Sequence, residues 1–235
     1  MKNHKEIAQK SEDWFRMKWG KIGGTASNGL FVDSETLMID ILSQRCEVYA
    51  HVEDSFESRD MMRGNEMEPL ARKFLESYLK VEFLETGWLQ CESNELLGMS
   101  PDGLSEDETI QCEIKCLGRK AHYKILLNDE IPREYIAQCL HSFTVNPKLE
   151  ELYWIAYRPE SPKPFIKKLT RASLLDFGWK KVEYIPQTGV NDKPIKPKAV
   201  KTPDVKTIDE WAKISHQKAD ELLETIKSAE MSLTF

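Results

Sequence analysis

No apolar run in the chain approaches the roughly 18 residues that a membrane-crossing helix needs. Nothing apolar follows the polar start Met1–Glu6, as a secretory leader would require, so a cytosolic protein is the expectation. Cysteine is scarce and badly spaced for chemistry. Cys46, Cys91, Cys112, Cys116 and Cys139 are odd in number, and no Cys-x-x-Cys occurs. That argues against a disulfide framework, against zinc and against an iron–sulfur cluster. Reduced thiols packed as small apolar groups remain. No Ser/His/Asp nucleophile set assembles, and His51, His122 and His141 read as structural or surface residues. Internal repeats are absent too.

Net positive charge is also missing. The sum over 235 residues is −6, the wrong sign for a nucleic-acid binder. The total hides a segregation, however. Asp33–Glu113 holds 20 acids against 6 bases, Met1–Leu30 holds 6 bases against 3 acids, and Glu160–Lys206 holds 11 bases against 5 acids. Basic ends around an acidic middle suit a protein that collects metal at its centre and phosphate at its edges. With 40% hydrophobic and 31% charged residues, the chain is globular.

Periodicity predicts helices over 5–19, 33–50 and Asp60–Lys80, the last with Leu70, Ala71, Phe74, Leu75, Tyr78 and Leu79 on one stripe. Pro69 then lies in a first turn or a kink, with Glu68 beside it. Residues 81–91 read as extended. Between the first two helices, Gly20–Ser27 gathers three glycines and two hydroxyls next to Lys18 and Lys21, a composition that suits a phosphate oxygen. A helix over Arg133–Val145 carries Tyr135, Ile136, Cys139, Leu140 and Phe143, with Gln138 at its margin. Leu149–Tyr157 reads as a buried strand paired with Phe165–Leu169, and Ala172–Tyr184 as a further helix. Pro186–Thr207 has four prolines, five lysines and no periodicity, which predicts a linker or arm. Thr207-Ile208-Asp209-Glu210 is a capping box that opens an amphipathic helix. That helix must dock on the core, on another subunit or on a partner.

The most informative stretch is Ser100-Pro101-Asp102-Gly103 followed by Ile110–Cys116. The first is a turn, with proline second and glycine fourth. In the second, Ile110, Cys112, Ile114 and Cys116 alternate with Gln111, Glu113 and Lys115, so one face enters a core and Glu113 and Lys115 share the other. Phosphodiester hydrolysis needs an attacking water and charge neutralisation, and one or two Mg²⁺ ions supply much of both. Mg²⁺ takes hard oxygen ligands and keeps several waters, so a few carboxylates suffice. Asp102 and Glu113 provide them, the Ile114 carbonyl adds an oxygen, and Lys115 orients or deprotonates the water. Nearby carboxylates raise a lysine pKa, so orientation is the better-founded role.

Those residues resemble the PD-(D/E)XK nuclease signature, and flanking elements resemble, more narrowly, the phage lambda exonuclease or YqaJ-like viral recombinase family. Trp14, Gly20 and Thr25-Ala26-Ser27 are similar to its N-terminal Trp…Gly…Thr-Ala-Ser segment. Arg63-Gly64 through Glu68 to Ala71-Arg72 is similar to its Arg-Gly…Glu…Ala-Arg helix, and Tyr135-Ile136-Ala137-Gln138 to its Tyr-x-x-Gln. The resemblance runs from about Ser11 to Arg158. It implies a restriction-endonuclease-like α/β core, a central mixed sheet flanked by helices, assigned to 1–185; the linker at 186–206 and the C-terminal helix at 207–235 rest on composition and periodicity and lie outside the resemblance. It implies a Mg²⁺-dependent (Mn²⁺ substituting) exonuclease. Such an enzyme removes one strand of linear duplex DNA from the 5′ end, leaving a 3′ strand for an annealing protein. Some relatives form trimeric rings. The setting is the cytoplasm of a bacterium or phage-infected host. Asp102, Glu113 and Glu68 become metal ligands with the Ile114 carbonyl, Lys115 acts on the water, and Gln138 supports Lys115 or a metal-bound water. Lys18, Thr25 and Ser27 meet the 5′ phosphate or backbone, with Arg16 and Arg63 as weaker candidates. Two departures bear on end recognition: lysine stands near the family's usual arginine at position 18, and Gly23-Gly24 adds a residue before Thr25. A nuclease of different polarity, such as an endonuclease or a repair or CRISPR-adaptation nuclease, and a non-catalytic DNA-end-binding module are the alternatives.

Overall fold

The computed structural model describes residues 1–49, 59–173 and 205–233. The predicted helix over Ala172–Tyr184, the linker at 186–206 and His51 lie wholly or almost wholly outside the described residues. In chain order the elements are β1 (Lys2–His4), α1 (Glu12–Lys18), α2 (Gly29–Val32), α3 (Ser34–Cys46), α4 (Arg59–Leu79), β2 (Trp88–Gln90), β3 (Gly98–Met99), β4 (Gly103–Leu104), β5 (Ile110–Lys115), α5 (Arg119–Asn128), α6 (Arg133–Val145), β6 (Glu151–Ala156), β7 (Phe165–Thr170) and α7 (Ile208–Leu233). The main sheet runs β4-β5-β6-β7; β5 and β6 are parallel and both outer pairs antiparallel, a mixed sheet as expected. A smaller antiparallel sheet, β1-β2-β3, adjoins it.

The alternation in β5 sorts its two faces. Cys112 and Ile114 pack with Ala71 and Leu75 of α4 and with Phe83 and Ile155. The opposite face is not open to water: Gln111 and Glu113 are buried beneath α6, whose Leu140 and Phe143 close a second core with Leu152 and Trp154. Leu149–Tyr157 is therefore apolar on both sides because β6 lies between two packed layers.

Two expectations need correcting. Residues 5–19 are not one helix. Lys2–His4 pairs with Trp88–Gln90, turns follow, and only Glu12–Lys18 is helical, started by Ser11, whose hydroxyl accepts from the Trp14 N–H. Of residues 81–91, only Trp88–Gln90 forms a strand, with Leu84 bridging to Leu104. In both places short elements are decided by partners distant in sequence, which local periodicity does not report.

The capping box at the start of α7 is formed in both directions: the Thr207 hydroxyl accepts from the Glu210 N–H (3.2 Å), and the Glu210 carboxylate accepts from the Thr207 N–H (3.3 Å). Of the three docking partners open to this helix, it takes the core. Trp211 stacks on Phe31 with ring centroids 3.9 Å apart, and Ala219, Leu222 and Ile226 join Leu30, Leu37, Ile41 and Leu97.

His141 of α6 is buried, and its Nε2 bonds the Gly98 carbonyl of β3 at 3.0 Å. Burial lowers its pKa to about 4. The unfolded chain then takes up a proton near pH 6.5 that the folded chain refuses. Stability is therefore expected to fall as pH drops from about 6.5 towards 4, by on the order of 3 kcal/mol from this residue. Chemical denaturation across that range should show the dependence, and His141→Gln should flatten it.

Candidate active site

The turn Ser100-Pro101-Asp102-Gly103 links the two sheets, and its proline has a specific consequence. In the β4–β5 ladder Ser105 pairs with Ile110 and Gly103 with Cys112. The next such pair would be residue 101 with Ile114, but Pro101 has no N–H to give. The Ile114 carbonyl is thus left without its ladder donor on the edge of β5 that faces Asp102. The Ile114 N–H donates instead to Asp102 Oδ2 at 2.6 Å. The Pro101 carbonyl is taken by Gln9, whose Nε2 also bonds the Thr86 carbonyl. Gly103 allows the close approach: a Cβ there would lie 2.7 Å from Cys112 Sγ and 2.9 Å from Phe83 Cβ. Trp14 braces the turn from outside, its indole N–H directed at Ser100 Oγ (2.6 Å) and the Gly87 carbonyl (2.9 Å).

Glu113 and Lys115, two residues apart on β5, form an ion pair in which the Glu113 side chain is 2% exposed and that of Lys115 21%. The ammonium lies 5.4 Å from the Tyr135 ring centroid on α6. Gln111, two residues before Glu113, donates to Ser142 Oγ at 2.8 Å, fastening β5 to α6. Glu68 arrives from α4, paired with Arg72 one turn on at 2.9 Å. Arg72 in turn donates from Nε to the Asp102 carbonyl at 2.8 Å and pairs with Glu85. One guanidinium thus ties the helix carrying Glu68 to the turn carrying Asp102.

Glu68, Asp102, Glu113 and Gln138 line one cleft of about 570 Å³, and Lys18 and Thr25 stand on its wall. The ammonium of Lys18 lies 3.7 Å from the Trp14 ring centroid, and burial lowers its pKa. Gly24 abuts Gln138: a Cβ at Gly24 would meet Gln138 Cγ at 2.9 Å, so the extra glycine in this loop fits the glutamine side chain. Ser27 is placed differently from Thr25. It is buried, its hydroxyl lying 2.7 Å from the Gly24 carbonyl and 3.2 Å from that of Ala137, and so secures the loop to α6. Arg16 is exposed and paired with Glu12, and Arg63 lines a separate hollow of about 350 Å³ with Glu66, Cys116 and Arg158. Neither arginine lines the cleft. Sequence reasoning missed Gln9 altogether, and named Arg72 and Gln111 without the bonds by which they tie the site together. Apart from the Glu68–Arg72 pair one helical turn apart, their partners are 77 and 92, 13 and 30, and 31 residues away, beyond any local pattern.

Burial raises the pKa of all three carboxyls. For Glu113, pushed up to about 7, the charge of Asp102 adds to burial; for Glu68, Asp102 again adds to it; for Asp102, burial outweighs Lys115 and the Ile114 N–H. Burial alone would lower the Lys115 pKa, but Glu113 and Asp102 hold it above the ordinary lysine value, so Lys115 stays protonated. Among the described residues, no three Asp, Glu, His or Cys side chains are already closed around one point. The donor set nonetheless fits a hard divalent cation. It consists of carboxylate oxygens and a ladder-free carbonyl, with buried negative charges that oppose one another.

Three comparisons bear on this site. No curated protein matches the chain. Among solved structures, the alkaline exonuclease LHK-Exo from Laribacter hongkongensis superposes with a TM-score of 0.68 at 18% identity, covering 95% of this chain and 96% of that one. LHK-Exo in complex with dAMP gives 0.66 at 18% identity over the same shares. These likenesses show a shared fold. The model of the YqaJ-like viral recombinase domain matches residues 13–148, which include Glu68, Asp102, Glu113, Lys115 and Gln138. That match covers more than half of the sequence, and the chain belongs to the YqaJ-like viral recombinase domain family.

Proposed function

We propose that the chain is a Mg²⁺-dependent exonuclease that hydrolyses one strand of linear double-stranded DNA from its 5′ end, exposing a 3′ strand for an annealing protein in recombination. The observation that carries this reading is the convergence of Glu68, Asp102 and Glu113 on one cleft, with Lys115 paired to Glu113. Family membership supports it, as does the fold shared with an alkaline exonuclease.

Asp102, Glu113 and the Ile114 carbonyl would hold the ion, with Glu68 completing the set. A bound Mg²⁺ supplies charge neutralisation at the phosphate and a more acidic water. Lys115, fixed by its ion pair, orients the attacking water and offsets negative charge in the transition state. Its raised pKa makes a general-base role unfavourable. Gln138, held against Gly24, offers an amide to Lys115 or to that water. Lys18 and Thr25 meet the DNA end, while Ser27 sets the shape of their loop.

The test uses linear duplexes with and without 5′ phosphates, alongside closed circles, in Mg²⁺ or EDTA. Linear DNA should be degraded from 5′ ends in Mg²⁺ only and circles spared; cleavage of circles would refute the exonuclease reading. Lys18→Ala should reduce any preference for phosphorylated ends about tenfold, the loss of one charge-assisted contact.

A further inference from the structure

Residues 1–12 precede the segment matched by the family model, yet the chain brings two of them, Gln9 and Lys10, to the cleft. Ala8-Gln9-Lys10-Ser11 is a turn closed by the Ser11 N–H on the Ala8 carbonyl. Its third residue, Lys10, has φ +67°, a left-handed conformation that favours glycine or asparagine. Among the described residues, three other non-glycine residues share a positive φ. Lys80 and Asp129 follow helices and Glu108 sits in the β4–β5 hairpin, all ordinary places for it. Lys10 stands apart because its turn is stapled to the site. Gln9 holds the carbonyls of Thr86 and Pro101, and Lys10 Nζ donates to Asn65 Oδ1 at 2.5 Å, three residues before Glu68 on α4.

This geometry puts a second ammonium, besides that of Lys18, in the cleft that holds the carboxylates. Lys10 lines the cleft with Glu68 and Asp102, and its charge lowers the pKa of both. Its side chain is nevertheless exposed, and an ammonium has three donors, of which Asn65 takes one. A glycine would suit the backbone better, so the lysine's side chain is what the strained conformation presents.

We propose that Lys10 is a DNA-contact residue. It binds a backbone phosphate of the strand lying in the cleft, next to the scissile phosphate on the Glu68 side, so that Lys10 and Lys18 both hold the strand. The proposal rests on the nuclease reading above and extends it to a residue outside the family-matched segment.

The experiment is fluorescence anisotropy of a labelled duplex with a single-stranded 5′ end, in EDTA, over a salt series, for wild type and for Lys10→Gly, Lys10→Ala and Lys10→Arg. Each phosphate contact contributes about 0.7 to 0.9 to the slope of log affinity against log salt. Lys10→Gly and Lys10→Ala should weaken binding about five- to tenfold at low salt and reduce that slope by about one contact. Lys10→Arg should keep the wild-type slope. Lys10→Gly should melt no lower than wild type, since glycine accepts the backbone angle, and this separates lost contact from lost folding. An unchanged slope in both Lys10→Gly and Lys10→Ala overturns the proposal. So does an unchanged slope together with a shifted Mg²⁺ requirement for hydrolysis, which would make Lys10 a tuner of the carboxylates only. Wild-type binding without hydrolysis would sink the nuclease reading while leaving the Lys10 slopes to decide this one; wild type that does not bind DNA would sink both.

Discussion

Asp102→Asn is expected to lower the rate of DNA hydrolysis on the order of a thousandfold while leaving the chain as stable as the parent, or more so. The first half follows from charge: asparagine cannot supply the anionic oxygen that a hard cation requires. The second follows from what Asp102 does without a ligand. Its Oδ2 accepts the Ile114 N–H, whose ladder acceptor, the Pro101 carbonyl, is taken by Gln9, and an amide oxygen can take over that bond. Its negative charge, in contrast, is buried near Glu113 and Glu68 and raises the pKa of each. Lys115 keeps its own partner, Glu113, so no buried cation is stranded. Removing the charge relieves repulsion without opening a cavity. Single-turnover kinetics and a melting curve on the same sample check both halves. A variant that retains activity removes Asp102 from the site; one that loses activity by unfolding shows that the carboxylate is structural.

Much of this site could be read from residue order alone, for identifiable reasons. The alternation Ile110–Cys116 is regular because β5 lies in the middle of the main sheet with a packed layer on each side, and period two is the one signal a strand cannot hide. α6 runs over Arg133–Val145 as its stripe predicts, since nine of its 13 residues are buried. The Thr207 capping box was legible because both of its bonds close within four residues. What escaped was decided at long range. β1 is three residues whose strand state depends on Trp88–Gln90, 86 residues on. α5 buries only His122 and Ile125 of its ten residues, which leaves little stripe to read, and the two-residue strands β3 and β4 offer too short a pattern to count. Thr25 and Ser27 read alike as hydroxyls in a glycine-rich loop, yet one lines the cleft and the other is turned into the body, a difference set by the Ala137 carbonyl on α6. Glu113 could be assigned to the face opposite the Cys/Ile core, but that face is roofed by α6. The roof matters more than the assignment, because burial is what makes the carboxylates demand a cation.

That demand predicts the second large effect, in stability rather than rate. With no cation bound, three carboxyls are held in a cleft where burial and mutual charge disfavour their ionised forms. Lys115 offsets part of this for Glu113, Arg72 part for Glu68, and Lys115 and Arg72 part for Asp102, but for all three carboxyls burial outweighs them. A Mg²⁺ ion bound by the folded chain and not by the unfolded one adds RT ln(1 + [L]/Kd), about 2.7 kcal/mol at a hundredfold excess over Kd. For a chain of this size each kcal/mol moves the melting temperature by about 2 to 4 °C. Saturating Mg²⁺ should therefore raise it by about 5 to 10 °C relative to EDTA. Differential scanning calorimetry in both conditions measures this without any DNA present. The shift should vanish in Asp102→Asn and in Glu113→Gln, and survive in Lys18→Ala, which removes none of the proposed ligands. Equal melting temperatures in Mg²⁺ and EDTA for the wild type would mean that the carboxylates do not close on an ion in the free protein. DNA would then have to complete the metal site, its phosphate oxygens supplying the ligands that Glu68, Asp102 and Glu113 leave open.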